Sequence, residues 1–141
     1  MSQMIQLNGL EGLQARLHQA TQEASKKIEQ IVFTTALDIR NATVKRIANG
    51  PKTGHIYQSK VSNRVHRASD PGQAPATDSG DLITSYTVQQ EDSYTYTVSS
   101  NLPYAYYLEF GTSKMKARPH LTPSVEENRN IFKRRLTEVF Q

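Results

Sequence analysis

No cysteine occurs among the 141 residues, which excludes a disulfide framework, a thiol nucleophile, a thiolate zinc site and an iron–sulfur cluster. Also missing is any run approaching the ~20 consecutive apolar residues that a membrane-spanning helix needs. The first residues, MSQMIQLNG, have neither a basic start nor a following apolar stretch, so the expectation is a protein that is intracellular when made. Dense arginine tracts are lacking too. The net charge of +4 is basic without the pattern of a dedicated nucleic-acid binder. With 36% hydrophobic and 21% charged residues, residues 1–141 are expected to form one domain around a modest core.

Catalytic patterns are equally scarce. His18, His55, His66 and His120 stand far apart, and none belongs to an H-x-x-x-H or H-E-x-x-H spacing, so no metal and no cofactor is expected. Ser79 in D-S-G and Ser59 near His55 lack a G-x-S-x-G elbow. The acid pairs Glu91–Asp92 and Glu126–Glu127 are adjacent in sequence, and neighbouring side chains diverge on a strand or a helix. Gly50, Gly54, Gly72 and Gly80 miss the spacing and the Gly-Lys-Ser/Thr ending of a phosphate loop. The chain is expected not to be an enzyme.

What is present is organised along the chain. Leu10, Leu13, Leu17, Ala20, Ala24, Ile28, Ile31, Thr35, Ile39 and Ala42 recur at steps of three and four, which predicts a helix over 9–48 with these residues on one stripe. Asn8 with Glu11 can cap its start, and Asn49, Gly50 and Pro51 supply a left-handed stop and a breaker. Such a helix is roughly 60 Å long, more than one small domain covers, so a kink or a neighbouring subunit is expected to take up the rest.

Residues 49–80, punctuated by Gly50, Gly54, Gly72, Gly80, Pro51, Pro71 and Pro75, read as a long extended loop, a length that implies a function. A short hairpin around Ser62 and Asn63 is compatible with its interleaved Ile56, Tyr57, Val61 and Val65. After a short turn at 80–85 capped by Asp78 and Ser79, Tyr86 and Val88, then Tyr94, Tyr96 and Val98, alternate with polar residues around a Glu91–Asp92–Ser93 turn, predicting an antiparallel hairpin with one apolar face. Leu102–Gly111 alternates like a strand but has Pro103 and Gly111 where a short helix begins and ends, which favours the helix. Thr122–Pro123 opens a last amphipathic helix with Val125, Ile131, Phe132, Leu136, Val139 and Phe140 near one side. The fold class expected over 81–141 and the first helix together is α+β: long N-terminal and C-terminal helices packed on a small antiparallel sheet.

Charge is uneven: residues 81–113 contain Asp81, Glu91, Asp92 and Glu109 and no basic side chain, while both flanks are basic. A subunit whose faces meet different surfaces has this character.

Two segments carry a family resemblance. The first is Tyr104-Ala105-Tyr106-Tyr107-Leu108-Glu109-Phe110-Gly111-Thr112, then Ala117-Arg118-Pro119-His120-Leu121-Thr122-Pro123. The second runs from Gly54-His55-Ile56-Tyr57 through Ala68-Ser69-Asp70-Pro71-Gly72-Gln73-Ala74-Pro75 to Asp78-Ser79-Gly80-Asp81-Leu82 and Ser85. In order and spacing they resemble the tail-component family of long-tailed bacteriophages, small proteins that complete the tail and join it to the head. His120 stands where the family usually has Phe, and Ser79 where it has Thr.

The resemblance implies a non-enzymatic structural protein of the virion neck or tail end, made in the host cytoplasm. It would act as a hexameric ring of its own copies, between adjacent neck and tail proteins. The alternatives are a tail terminator ring and, in another class, a basic DNA-binding accessory protein. Tyr104, Tyr107, Leu108, Glu109, Phe110, Gly111, Arg118 and His120 are then candidate subunit-interface residues, with Glu109 and Arg118 as an ion pair. Lys52, Tyr57, Lys60, Arg64, His66 and Arg67 are candidates for a loop that contacts a neighbour or passing DNA through phosphate.

Overall fold

A computed structural model of the chain describes residues 10–141, and their architecture is α+β. Helix α1 spans Leu10–Asn49 without a break, and strands β1 (Ile56–Gln58) and β2 (Val65–Arg67) form a small hairpin. Helix α2 (Asp81–Ser85) leads into β3 (Tyr86–Asp92) and β4 (Thr95–Ser100), and α3 (Pro103–Phe110) and α4 (Leu121–Val139) follow. Each strand pair is its own two-stranded antiparallel sheet.

The long helix forms as its period predicts; the proposed Asn8 cap lies outside the described residues. Its end differs from expectation. Gly50 is not left-handed: its N–H donates to the Arg46 carbonyl at 2.9 Å, and a Cβ there would sit 2.4 Å from that same oxygen. The helix therefore closes by close backbone approach rather than by a change of handedness.

Helix α4 packs antiparallel on the second half of α1. Near its C-terminus, Arg135 reaches the Asp38 carboxylate at 2.9 Å and the Thr35 hydroxyl at 3.2 Å; near its N-terminus, Glu127 pairs with Arg46. The β3–β4 hairpin covers another side of α1. Its register, Val88 opposite Val98 and Gln90 opposite Tyr96, puts Tyr86, Val88, Tyr96 and Val98 on one face. Phe33 meets Tyr96 with ring centroids 5.2 Å apart, and Arg40 Nε donates to the Tyr86 carbonyl at 3.1 Å. Tyr94, expected on that face, is exposed instead. Strand β3 continues to Asp92 through an irregularity between Gln90 and Asp92, which moves the turn from 91–93 to Ser93 and Tyr94.

The core is small: Ile47, Leu82, Tyr86 and Ala105 are buried, with Val44, Leu102, Leu108 and Leu121 packed against them. Only the second half of α1 contributes: Thr35 of the expected stripe is buried, and the other buried positions, Ala36, Thr43 and Ile47, are rotated from that line. Residues 12–23 are exposed throughout.

The 49–80 segment is not simply extended. Pairing of Ile56 with Arg67, Tyr57 with His66 and Gln58 with Val65 forms the hairpin around Ser62 and Asn63, and Asn63 takes the positive φ of 54° that Asn tolerates at a turn. The hairpin base is tied by a Thr53–Asp70 hydrogen bond and by the Asp70 N–H to Gln73 Oε1 at 2.9 Å. The N-cap position of α2 is Gly80, which has no side chain to bond; of the two expected caps, Ser79 Oγ accepts the Asp81 N–H at 3.4 Å, while Asp78 is engaged by the hairpin instead.

Accessible surface totals 10435 Å², against about 7,400 Å² for a folded monomer of this mass.

Candidate functional site

The stretch from Tyr104 to Thr122 becomes the α3–α4 junction. Pro103 at the first turn of α3 has no N–H to leave unsatisfied. The helix ends at Gly111, whose φ of 78° and whose missing Cβ, which would lie 2.8 Å from Ala117 N and Met115 O, allow the 112–117 loop to fold back. Arg118 N–H then donates to the Leu108 carbonyl at 2.6 Å.

Glu109 holds this junction together. Its carboxylate accepts the backbone N–H of His120 and Leu121, each at 2.9 Å, and of Thr122 at 2.8 Å. These are donors that the first turn of α4 cannot satisfy itself, and a negative charge there meets the positive end of the helix dipole. Burial alone would raise the Glu109 carboxyl, but the Thr122 side chain and the three backbone donors outweigh it and hold the group below its ordinary value.

His120 is fully buried. Its Nδ1 lies 2.9 Å from the Arg118 carbonyl and 3.0 Å from Glu109 Oε2, both acceptors, which assigns a proton to Nδ1. The Tyr86 hydroxyl then donates to Nε2 at 2.6 Å. Burial first, and the Glu109 charge second, push the Tyr86 hydroxyl well above its usual value. The imidazole thus bridges the hairpin to α4, a polar link that Phe at this position cannot make.

These observations correct the sequence-based view of two residues. Glu109 and His120, expected at a subunit interface, are buried inside the chain: Glu109 accepts the N–H groups at the start of α4, and the His120 ring links Tyr86 to the Arg118 carbonyl. Glu109 and Arg118 do not pair: the carboxylate is taken by backbone donors, while Arg118 points a guanidinium nitrogen at Met115 Sδ, 3.8 Å away. Leu108 is half-buried against the core, and Gly111 acts through its turn.

Tyr104, Tyr107 and Phe110 do lie on the exposed side of α3, joined by Tyr106, which sequence reasoning left out. Tyr106 packs against Phe110 in a tilted contact, with centroids 4.9 Å apart, and meets Tyr107 edge-on at 5.8 Å. The Tyr–Tyr–x–x–Phe spacing on an eight-residue helix was the available signal. Beside this aromatic face runs a groove of about 380 Å³, with Tyr86, Val98, Leu102 and Leu121 in its wall and Tyr106 and Phe110 along it.

The hairpin of residues 49–80 gathers a second cluster. Ser62 Oγ donates to Asp78 Oδ1 at 2.7 Å, Ser59 also donates to Asp78, and His66 Nε2 is 3.0 Å from both Ser62 Oγ and Asp78 Oδ1. A hydrolytic triad needs the carboxylate on the far ring nitrogen and the serine proton directed to histidine. Here the carboxylate takes the serine proton directly, and Ser59 Oγ further accepts the N–H of Val61 and Ser62 at 3.0 and 3.1 Å. The arrangement locks a turn. The Ser59 and Ser62 hydrogen bonds hold the Asp78 carboxyl below its ordinary value, assisted by His66 and opposed by desolvation.

Of the candidate loop residues, His66 is used in this lock, and Lys52 Nζ donates to the Ala74 carbonyl at 3.3 Å, where burial lowers its pKa. Tyr57 faces His66 with rings 6.3 Å apart. Lys60, Arg64 and Arg67 are left exposed on the hairpin.

Residues 11–111 match a family model described as "Bacteriophage HK97-gp10, putative tail-component". No curated protein and no solved structure matches the chain.

Proposed function

Since the chain belongs to the HK97-gp10-like family of bacteriophage tail components, we propose that it is a structural subunit of the virion neck or tail end, forming a ring that completes the tail and helps join it to the head. What supports the reading beyond the family is the apolar surface left exposed among the described residues, Leu13 and Leu17 on α1 and Tyr106, Tyr107 and Phe110 on α3, since a subunit finished by its neighbours keeps such surface for them.

The exposed Lys60, Arg64 and Arg67 contribute by hairpin shape, against an adjacent subunit, rather than by holding DNA. Three cations bind duplex only weakly at physiological salt. Alanine at all three positions is expected to leave infectivity within about twofold, whereas a loss of infectivity with a steep salt dependence would favour a charge contact with passing DNA.

Electron microscopy of particles made without this chain, beside a complemented control, tests the function. Full heads next to free tails of normal length support completion and joining. Tails of uncontrolled length would make it a terminator instead, and intact infectious particles would overturn the assignment to the neck.

A further inference from the structure

Charges of opposite sign stand unpaired at the two ends of strand β3. At its far end, the turn into β4 exposes Glu91, Asp92 and Tyr94, and among the described residues no basic side chain pairs with either acid. At its near end Tyr86 bonds His120, and just before His120 the 112–118 loop contains Lys114, Lys116 and Arg118 and no acid. None of these cations has a carboxylate within ion-pair distance among the described residues. The Arg118 side chain is partly buried, its Nε has no hydrogen-bond partner, and its guanidinium meets only the Met115 sulfur, at 3.8 Å. Arg46, the other arginine with a buried and unpartnered Nε, has Glu127 beside it; Lys60, Arg64 and Arg67 are exposed to water. Arg118 alone is a guanidinium drawn partly out of water with no anion to receive its donors.

The loop is also fixed in place. The Thr112 N–H donates to the Met115 carbonyl at 2.7 Å, and the Gly72 N–H to the Ala117 carbonyl at 3.0 Å, so its charges are presented at little ordering cost. Strand β3 puts about 20 Å between Tyr86 and Asp92, which holds the acidic turn and the basic loop of one chain apart. We propose that the 112–118 loop of one copy receives the β3–β4 turn of a second copy, with Arg118, Lys114 and Lys116 against Glu91 and Asp92. The proposal rests on the tail-subunit reading and specifies the contact by which copies join. Both signs of charge belong to this chain, so a second copy supplies what each surface lacks. Such complementarity sets register and orientation more than it adds affinity, and Tyr94, meeting the exposed rings at the end of α3, adds contact area. Turn and loop are different surfaces, so the contact is head-to-tail and passes from chain to chain, as a ring requires.

Charge exchange tests the contact. Particles lacking the chain are complemented with Lys114→Glu/Lys116→Glu, with Glu91→Lys/Asp92→Lys, or with both pairs together; the chain in purified particles is then quantified, and thermal melts of each purified variant check its fold. All of these positions are exposed. Each one-sided reversal sets like charges against one another and is expected to cut incorporation by about tenfold or more, while the combined variant returns to within about threefold of wild type. Normal incorporation of either one-sided reversal overturns the contact. A loss confined to the lysine reversal does so by assigning the loop to DNA or a different protein, and so does a loss that the folded combined variant fails to restore. Cross-linking gives a reading independent of charge, because the chain has no cysteine. In particles treated with a short bismaleimide, Glu91→Cys/Lys116→Cys is expected to give dimers and higher species, and each single variant monomer. Monomer alone in the double variant, with the chain present in the particles, overturns the contact and leaves the tail assignment standing. A chain missing from particles complemented with the wild type overturns both.

Discussion

The two halves of α1 share one apolar period and meet different fates. In the second half, Thr43 and Ile47 are fully buried and Ala36 nearly so, because α4, the β3–β4 hairpin and α2 converge there. In the first half, Leu13 and Leu17 are more than half exposed although the helix continues unbroken. Periodicity states which residues share a face; it does not state whether this chain or another covers that face. A small core, a long projecting helix and a groove lined by exposed aromatic rings leave apolar surface uncovered among the described residues.

The largest effect is expected outside α1, at the junction that braces the groove. Glu109→Ala should lower unfolding free energy by roughly 3–5 kcal/mol in urea titration, since three buried N–H groups lose their acceptor at a cost of about 1–3 kcal/mol each. A loss below about 1 kcal/mol would mean that the groove stands without its carboxylate. The same group gives a pH signature. Its folded pKa lies below the ordinary value, so its contribution is complete above the normal carboxylate range and disappears as pH falls through the folded value. Thermal melts of the wild type should therefore decline on acidification more steeply than those of Glu109→Gln.

Next comes the contrast within α1 itself. Ile47→Ala should cost about 2–5 kcal/mol, whereas Leu17→Ala should change the stability of the isolated chain by less than about 0.5 kcal/mol while reducing incorporation into particles. Equal losses at the two positions in urea titration would break the comparison. Tyr86→Phe, which removes the hydroxyl facing His120, should cost about 1–2 kcal/mol by the same titration, sharpening the estimate of how firmly the hairpin is tied to α4. The smallest effect is expected from Glu127→Ala. Its ion pair with Arg46 is largely exposed on the Glu127 side, and thermal melts should register less than about 1 kcal/mol.

Much of this architecture was legible because it is local. The steps of three and four from Leu10 to Ala42, the alternation at Tyr86–Val88 and Tyr96–Val98, and Pro103 with Gly111 framing α3 are statements about neighbouring residues, and the corresponding elements form. Charge type misled at Glu109 and Arg118. Opposite signs nine residues apart suggest a pair, but backbone donors at a helix N-terminus compete for the carboxylate, and that competition exists only once α4 is placed. Tyr106 was missed for a related reason, since its exposure depends on which side of α3 the hairpin covers.

By itself the sequence determined the helices and hairpins, a first helix longer than one small domain covers, and the family, because backbone periodicity, turn chemistry and residue order are written in adjacent positions. Only the tertiary structure decided that Glu109 and His120 are internal braces, that Asp78 locks a hairpin, and that the leucines of α1 and the aromatic rings of α3 stand bare at opposite ends. Those outcomes depend on which surfaces meet across tens of residues, where burial and hydrogen-bond competition, not local propensity, select the partner.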